Sequence, residues 1–412
     1  MLAFTFPGQG SQRPGMGAPW VVHPSFELVT LAAEVTGRDL VALLLDADLD
    51  TLTRTDNAQL ATFVLSLVVL DAAERIGIVP SACAGHSLGE YSALVASGSL
   101  DFEDGLRLVA ERGAAMQQAA LDAPGTMAAV LGLGDDGVEA ACRRADGDAW
   151  VANFNGPGQV VIAGSSEAVA EAGRIAKELG AKKVLPVPVG GAFHTPLMGA
   201  ARDRLRKALA TVSFRVPEPA VVANVDARAH LDPDEWPKLL SSQLCSPVRW
   251  RQTLDTLLAD GVQTFVELGP GGVLTGLARR VLPSDSCVAV AVATPDDLAK
   301  LVDVLAGGAV AGVTEERSGE QFHMTERLVV SPTAGLFEPA DGLEGYLPGR
   351  KGAPSGPVLI EVGGLLGLVG STEVRSAFAG SLEGVLVLNG ERVTEGQPIA
   401  WLRATDRDEG TR

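Results

Sequence analysis

Apolar positions recur along this chain at two spacings, and each change of spacing marks an element boundary. Leu2 to Phe6 reads as a strand that stops at Pro7-Gly8-Gln9-Gly10-Ser11-Gln12. From Leu60 to Leu70 apolar residues fall on nearly every side of a helical wheel, which predicts a buried helix capped by Asp56 or Asn57. Ile78 to Ala84 reads as a buried strand of small residues, and after it Leu88, Tyr91, Leu94 and Val95 keep helical spacing until Gly98. A third helix, capped within Asp101-Phe102-Glu103-Asp104, carries the stripe Leu106, Val109, Gly113 and Met116.

Between residues 124 and 190 the order becomes strand, helix, strand, strand, helix, strand, which predicts a small ferredoxin-like insert. Its hairpin, Asn153 to Gln159, reads as turn chemistry more than catalysis. Strand, glycine-turn and helix patterns return from Ala220 to Ala306, so residues 1–123 and 191–306 form one α/β subdomain around the insert. Residues 307–327 are polar and glycine-containing, hence a linker. Residues 328–404 switch to short strands and turns, an all-β pattern, and 405–412 form a tail. Leu328 to Gly335 and Val374 to Leu382 repeat one theme, which suggests two interlocked halves.

The first chemical signal lies where the second strand meets its helix, at Gly85-His86-Ser87-Leu88-Gly89. A serine between two glycines at a tight strand-to-helix turn projects its hydroxyl into a cleft, with the N–H of Leu88 aimed where an oxyanion would form. A glycine-rich turn with an incidental serine has the same spacing; the strand before and the helix after favour a nucleophile. Arg112 projects from the margin of a buried stripe, where either a structural ion pair or an anionic ligand would satisfy it. Of the five histidines, His23 precedes a proline, His230 and His323 sit among charges, and His86 adjoins the serine and should point elsewhere. His194 remains, in a glycine-bounded loop among apolar residues, as a general base or a core histidine. The Gly8-Gln9-Gly10 turn lacks the third glycine of a dinucleotide fingerprint, because Arg13 stands there.

Composition narrows the choices. A length of 412 residues implies two or three units, and 46% hydrophobic residues imply well-buried ones. A net charge of −18 argues against nucleic acid as a partner. Asp71, Glu74 and Arg75 close the longest apolar run, so no membrane span is expected, and Met1 to Phe6 shows no export leader. The four cysteines, Cys83, Cys142, Cys245 and Cys287, lack metal-site spacing; a cytoplasmic location without structural zinc or disulfides is expected.

In chain order, Pro7 to Gln12, Gly85 to Glu90, Arg112, Gly191-Ala192-Phe193-His194 and Glu267-Leu268-Gly269-Pro270-Gly271 resemble the malonyl-CoA:acyl carrier protein transacylase family, over roughly residues 1 to 306. The resemblance implies an α/β-hydrolase-like subdomain and a ping-pong transfer of malonyl from coenzyme A to the phosphopantetheine thiol of acyl carrier protein. It implies Ser87 as nucleophile and His194 as base, with the backbone N–H groups of Gln9 and Leu88 as the oxyanion hole. Arg112 would grip the malonyl carboxylate, and the main-chain carbonyl of Gln243 would orient the histidine. Arg112, Gln243, Phe193 and His86 are grouped at the substrate, Phe193 going with malonyl over methylmalonyl. No metal or cofactor is implied. A serine hydrolase such as an acyl-CoA thioesterase shares the elbow but normally adds an acid between serine and histidine. Since such carriers are acidic, docking would use local basic residues: Lys182, Lys183, Arg202, Arg204, Arg206 and Lys207 flank His194.

Residues 328 to 404 resemble the biotinyl/lipoyl hammerhead domain, with one departure. Val369 stands where the modified lysine should be, and the lysine of this region is Lys351. Neither biotin nor lipoate is expected.

Overall fold

Four helices, α1 (Glu27–Thr36), α2 (Leu40–Leu45), α3 (Leu49–Thr53) and α4 (Thr55–Arg75), separate strand β1 (Leu2–Phe6) from β2 (Ala82–Gly85) in this computed structural model. It describes residues 1–308, 326–340, 342–343, 346, 358–361, 363–376, 380–394 and 396–403. Helix α4 would suit a membrane by length and composition, yet 89% of its apolar window is buried inside the protein. Its cap differs from the expected one. The Thr55 N–H is taken by Gln117 Oε1 at 3.0 Å, while Asn57 accepts from Arg38 and donates to the Thr51 carbonyl. Tertiary partners thus replace local capping at Asp56 or Asn57. Strand β2 also starts later than expected, because Val79 is exposed and Pro80 has no N–H to pair; the ladder opens with Ala82 opposite Ala3.

Helices α5 (Gly89–Ala96) and α6 (Phe102–Asp122) follow. Asp101 precedes α6 but pairs with Arg215 at 2.6 Å instead of capping. Next come β3 (Thr126–Leu131), α7 (Asp135–Arg144), β4 (Ala149–Gly156), β5 (Gln159–Gly164), α8 (Ser166–Glu178) and β6 (Lys183–Val187). Their antiparallel sheet has the order β4-β5-β3-β6, the ferredoxin-like arrangement, over a core that includes Val130, Phe154, Ile162 and Ile175.

The chain returns with α9 (Gly199–Leu209), β7 (Val221–Val222), β8 (Ala229–His230), α10 (Trp236–Gln243), α11 (Trp250–Ala259), β9 (Thr264–Leu268), α12 (Val273–Val281), β10 (Val288–Val292) and α13 (Pro295–Gly308). The main sheet reads β10-β9-β1-β2-β7-β8, parallel except for β8 at the edge. Phe6 lies opposite Gly85, so the turns after β1 and β2 sit side by side at the carboxyl edge, where open α/β sheets bind ligands. Buried Glu267 accepts the N–H groups of Leu274 and Thr275 at 3.1 and 2.7 Å, a carboxylate on the positive end of α12. The Glu267 to Gly271 motif therefore anchors a helix.

Two compact units emerge, Met1–Val313 and Thr314–Arg412. Residues 307 and 308 belong to α13, and residues 326 and 327 belong to the next strand, so the expected linker at 307–327 narrows at both ends. Its remainder, 309–325, lies outside the described residues, as do His323, Lys351 and the tail at 405–412. The second unit contains β11 (Glu326–Val330), β12 (Gly335–Pro339), β13 (Val358–Ile360), β14 (Leu365–Val369), β15 (Thr372–Arg375), β16 (Gly380–Val385), β17 (Arg392–Val393) and β18 (Pro398–Arg403). They form two four-stranded sheets, β11-β18-β16-β13 and β15-β14-β12-β17, all antiparallel. Phe337, Leu366, Val374, Leu382 and Ile399 fill the core between them. Val369 is part of that core, and Val369 pairs with Thr372, so the hairpin tip is Gly370-Ser371.

Candidate active site

Ser87 stands at the turn between β2 and α5 with φ of 53°, and His194 has φ of 61°. Left-handed backbone at a residue other than glycine costs about 1–3 kcal/mol and persists only where surrounding structure enforces it. Here the enforcement is visible. A Cβ on Gly85 would lie 1.9 Å from the Gly89 carbonyl, and one on Gly89 would lie 2.0 Å from the Phe6 carbonyl. Strand, turn and helix thus meet at a distance only glycines permit.

The turn brings three distant side chains together. Ser87 Oγ lies 2.7 Å from His194 Nε2, and Arg112 Nη2 donates to the same oxygen at 3.0 Å. His194 Nδ1 is 2.8 Å from the main-chain carbonyl of Gln243. A carbonyl can only accept, so Nδ1 carries the proton and Nε2 presents its lone pair to the serine hydroxyl. Among the described residues, no carboxylate is hydrogen-bonded to this trio. Burial, followed by the positive charge of Arg112, pushes His194 down to about 3.

A consequence can be measured. The folded state favours neutral imidazole, so this contribution to stability is complete above the ordinary value of 6.5 and is lost as pH falls toward about 3. If His194 is the base, its own protonation should leave no inflection in kcat/KM for enzyme acylation between roughly pH 5 and 8; buried Glu90, pushed up to about 7, is the group that titrates in that window. An inflection near 6.5 that persists in Glu90→Gln would contradict that base in that environment.

Arg112 is buried, at 1% exposure, and burial pulls its pKa down. Its partners are neutral: Nη1 donates to Gln59 Oε1 at 2.7 Å, Nη2 to Gln243 Oε1 at 2.8 Å, and the guanidinium lies 5.6 Å from the Tyr91 ring centre. Its Nε has no partner among the described residues. A buried cation with no hydrogen-bonded anion among the described residues, its Nε unpaired on the edge that reaches the serine, is suited to a carboxylate ligand.

Ser87, Arg112 and His194 line a cavity of about 270 Å³, together with Gln9, His86 and Phe193. His86 points away from Ser87 Oγ and fixes a wall, its Nε2 lying 2.9 Å from Asn155 Oδ1 and its ring edge-on to Trp250. The Leu88 side chain is in the core, which leaves its main chain to the site; neither its N–H nor that of Gln9 has a hydrogen-bond partner among the described residues. Gln243 differs from its expected grouping at the substrate. It is fully buried behind Arg112, outside the cavity wall, and acts on Arg112 and His194.

Four residues escaped the sequence reading: Gln59, Glu90, Asn155 and Asn224. Gln59 is a buried polar residue on a helix that is buried nearly all round. Asn155, in the hairpin read as turn chemistry, pairs with His86. Glu90 is a buried carboxyl in the first turn of α5, and Asn224 is a fully buried amide just after β7. A long polar side chain on a buried helix was the available signal at Gln59 and Glu90, but its partners lie on remote segments.

A protein-family profile described as "Acyl transferase domain" matches residues 3–317. The chain is 41% identical over 308 residues to the malonyl CoA-acyl carrier protein transacylase of Escherichia coli K12, spanning 74% of this chain and 99% of that protein. It is 38% identical over 309 residues to the protein of that name from Bacillus subtilis 168, spanning 74% and 97%. Among solved structures, one is a malonyl-transacylase in complex with a type II polyketide synthase acyl-carrier protein. It superposes with a TM-score of 0.71 at 38% identity, covering 74% of this chain and 99% of that one.

Proposed function

The chain belongs to the malonyl-CoA:acyl carrier protein transacylases, and from that premise we propose that it transfers malonyl from malonyl-CoA to the thiol of an acyl carrier protein, supplying fatty acid or polyketide synthesis. One observation carries the reading: a single serine oxygen lies 2.7 Å from a histidine lone pair and 3.0 Å from a buried guanidinium. A nucleophile, its base and a cation in one cavity suit an acyl group that bears a carboxylate.

In the first half-reaction, Ser87 Oγ attacks the thioester carbonyl while His194 Nε2 takes the hydroxyl proton. The N–H groups of Gln9 and Leu88 receive the developing oxyanion, and His194 returns the proton to the departing thiolate of coenzyme A. The carrier thiol then gives its proton to His194 and attacks the malonyl ester, and collapse regenerates Ser87. Throughout, Nε and Nη2 of Arg112 form one edge of the guanidinium; once the malonyl carboxylate takes the Nη2 hydrogen now given to Ser87 Oγ, that edge can hold it in two parallel N–H···O bonds. The chain's own residues supply every proton transfer; no cofactor enters. The carrier is acidic, and Arg206, Lys207, Lys182 and Lys183 are in no ion pair among the described residues. Arg202 and Arg204 are already paired with Asp203 and Glu111. The unpaired four are the better docking candidates. Four free cysteines fit a reducing cytoplasm.

Partition of the acyl-enzyme tests the reaction type. Enzyme loaded with labelled malonyl and mixed with holo carrier should place the label on the carrier faster than it releases malonate. Release of malonate at a rate indifferent to carrier would identify a hydrolase instead.

For the second unit we infer a biotinyl/lipoyl-like domain that carries no prosthetic arm. Its two antiparallel four-stranded sheets support the reading. Val369 is 1% exposed, and neither residue of the Gly370-Ser371 tip has an amine to acylate. The protein isolated from cells with active biotin and lipoyl ligases should carry neither group by intact mass. Biotin or lipoate on Lys351 would reverse the inference.

A further inference from the structure

Glu90 is a buried acid that the transfer chemistry leaves unused. Its carboxyl has 1% exposure and lies in no ion pair among the described residues. Both oxygens nevertheless accept: Oε1 from the Asn224 main-chain N–H at 2.7 Å, and Oε2 from Gln243 Nε2. Each of these two partners leads to the site.

Asn224 spans the serine turn. Its Oδ1 accepts the Ser87 N–H at 2.7 Å, and its Nδ2 donates to the Gly85 carbonyl at 2.7 Å, so one amide bridges the residues on either side of His86. Gln243 reaches the rest. Its Nε2 also donates to the Ser87 carbonyl at 2.8 Å, its Oε1 accepts from Arg112 Nη2, and its main-chain carbonyl holds His194. An amide has a donor end and an acceptor end. Burial pushes Glu90 up to about 7, while the bonds from Asn224 and Gln243 and the charge of Arg112 pull toward the carboxylate. In that form it only accepts, and so it fixes the amide of Gln243 with nitrogen inward and oxygen toward Arg112.

We propose that Glu90 is a positioning residue for the transfer reaction, setting Ser87 through Asn224 and orienting Arg112 through the side chain of Gln243. Glutamine at position 90 would keep the shape but present an NH₂ to one of two donors. The Asn224 N–H belongs to the main chain and cannot turn. The Gln243 amide would then have to flip, which would aim its nitrogen at the Arg112 guanidinium.

The inference rests on the proposed reading of the site, and its test separates the two. Glu90→Gln should lower kcat/KM for malonyl transfer by about a hundredfold, the scale of a small displacement in a site built to position groups. Acetyl transfer should fall less, so the malonyl-over-acetyl preference drops by about tenfold. Gln243→Met keeps the carbonyl that holds His194 and removes the side-chain link. It should show the same loss of preference and decides the matter if Glu90→Gln does not fold. Unchanged preference in either folded variant, with a wild-type enzyme that forms the adduct and favours malonyl, overturns the inference alone. A wild-type enzyme without adduct or preference would contradict the functional reading.

Discussion

Ser87→Ala abolishes the malonyl-enzyme, and His194→Ala slows its formation by about 10²–10⁴-fold: these are the largest effects expected. A serine hydroxyl is a weak nucleophile at neutral pH until a base accepts its proton, and His194 Nε2 at 2.7 Å is the base within reach. Alanine at position 87 keeps the backbone bonds to Asn224 and Gln243, which use the Ser87 N–H and carbonyl, so the turn should survive. The two residues act as a unit. The double variant should therefore be no worse than Ser87→Ala alone. Rapid-quench assay of acylation with malonyl-CoA checks each case, and a normal adduct on Ser87→Ala would remove the serine from the mechanism.

Arg112→Ala should reverse substrate preference. Losing one partner of a buried charge-assisted pair costs about 2–5 kcal/mol, so malonyl transfer should fall by about 30-fold to 4,000-fold. Acetyl has no carboxylate to pair, and its transfer should stay level or rise. The substitution also strips a donor from Gln59 and from Gln243, so some thermal stability will be lost. The ratio of the two substrates is accordingly the informative quantity. Equal losses for malonyl and acetyl would make Arg112 a structural residue.

How much of this could be read from the sequence depends on whether the signal is local. The serine turn shows itself because glycines at fixed offsets and a change of hydrophobic period lie within a few residues of each other, and the sheet register places it beside the Gln9 turn. The β-α-β-β-α-β insert was legible for the same reason, its order following from alternation of pattern along the chain. Arg112 could be placed at the edge of a buried stripe, but the choice between ion pair and ligand needed its neighbours. These proved to be Gln59, Gln243 and Ser87, none of them an anion.

The hydrogen-bonded frame was not legible. Glu90 and Gln243 are 153 positions apart, and Ser87 and Asn224 are 137 apart, so no periodicity links them. Local rules also failed where tertiary partners took over, as when the helix began at Thr55, ahead of the expected caps Asp56 and Asn57, with its Thr55 N–H held by remote Gln117. In the second unit, the resemblance proposed from the sequence puts Val369 at the position of a lysine; the burial of Val369 and the Gly370-Ser371 tip required the pairing of β14 with β15.

Mass spectrometry of the intact protein tests the transfer mechanism most directly. Wild-type protein mixed with malonyl-CoA should gain one malonyl group, located by peptide mapping to the segment containing Ser87, and should lose it when holo acyl carrier protein is added. An adduct on a peptide lacking Ser87, or an adduct that holo carrier does not discharge, would contradict it.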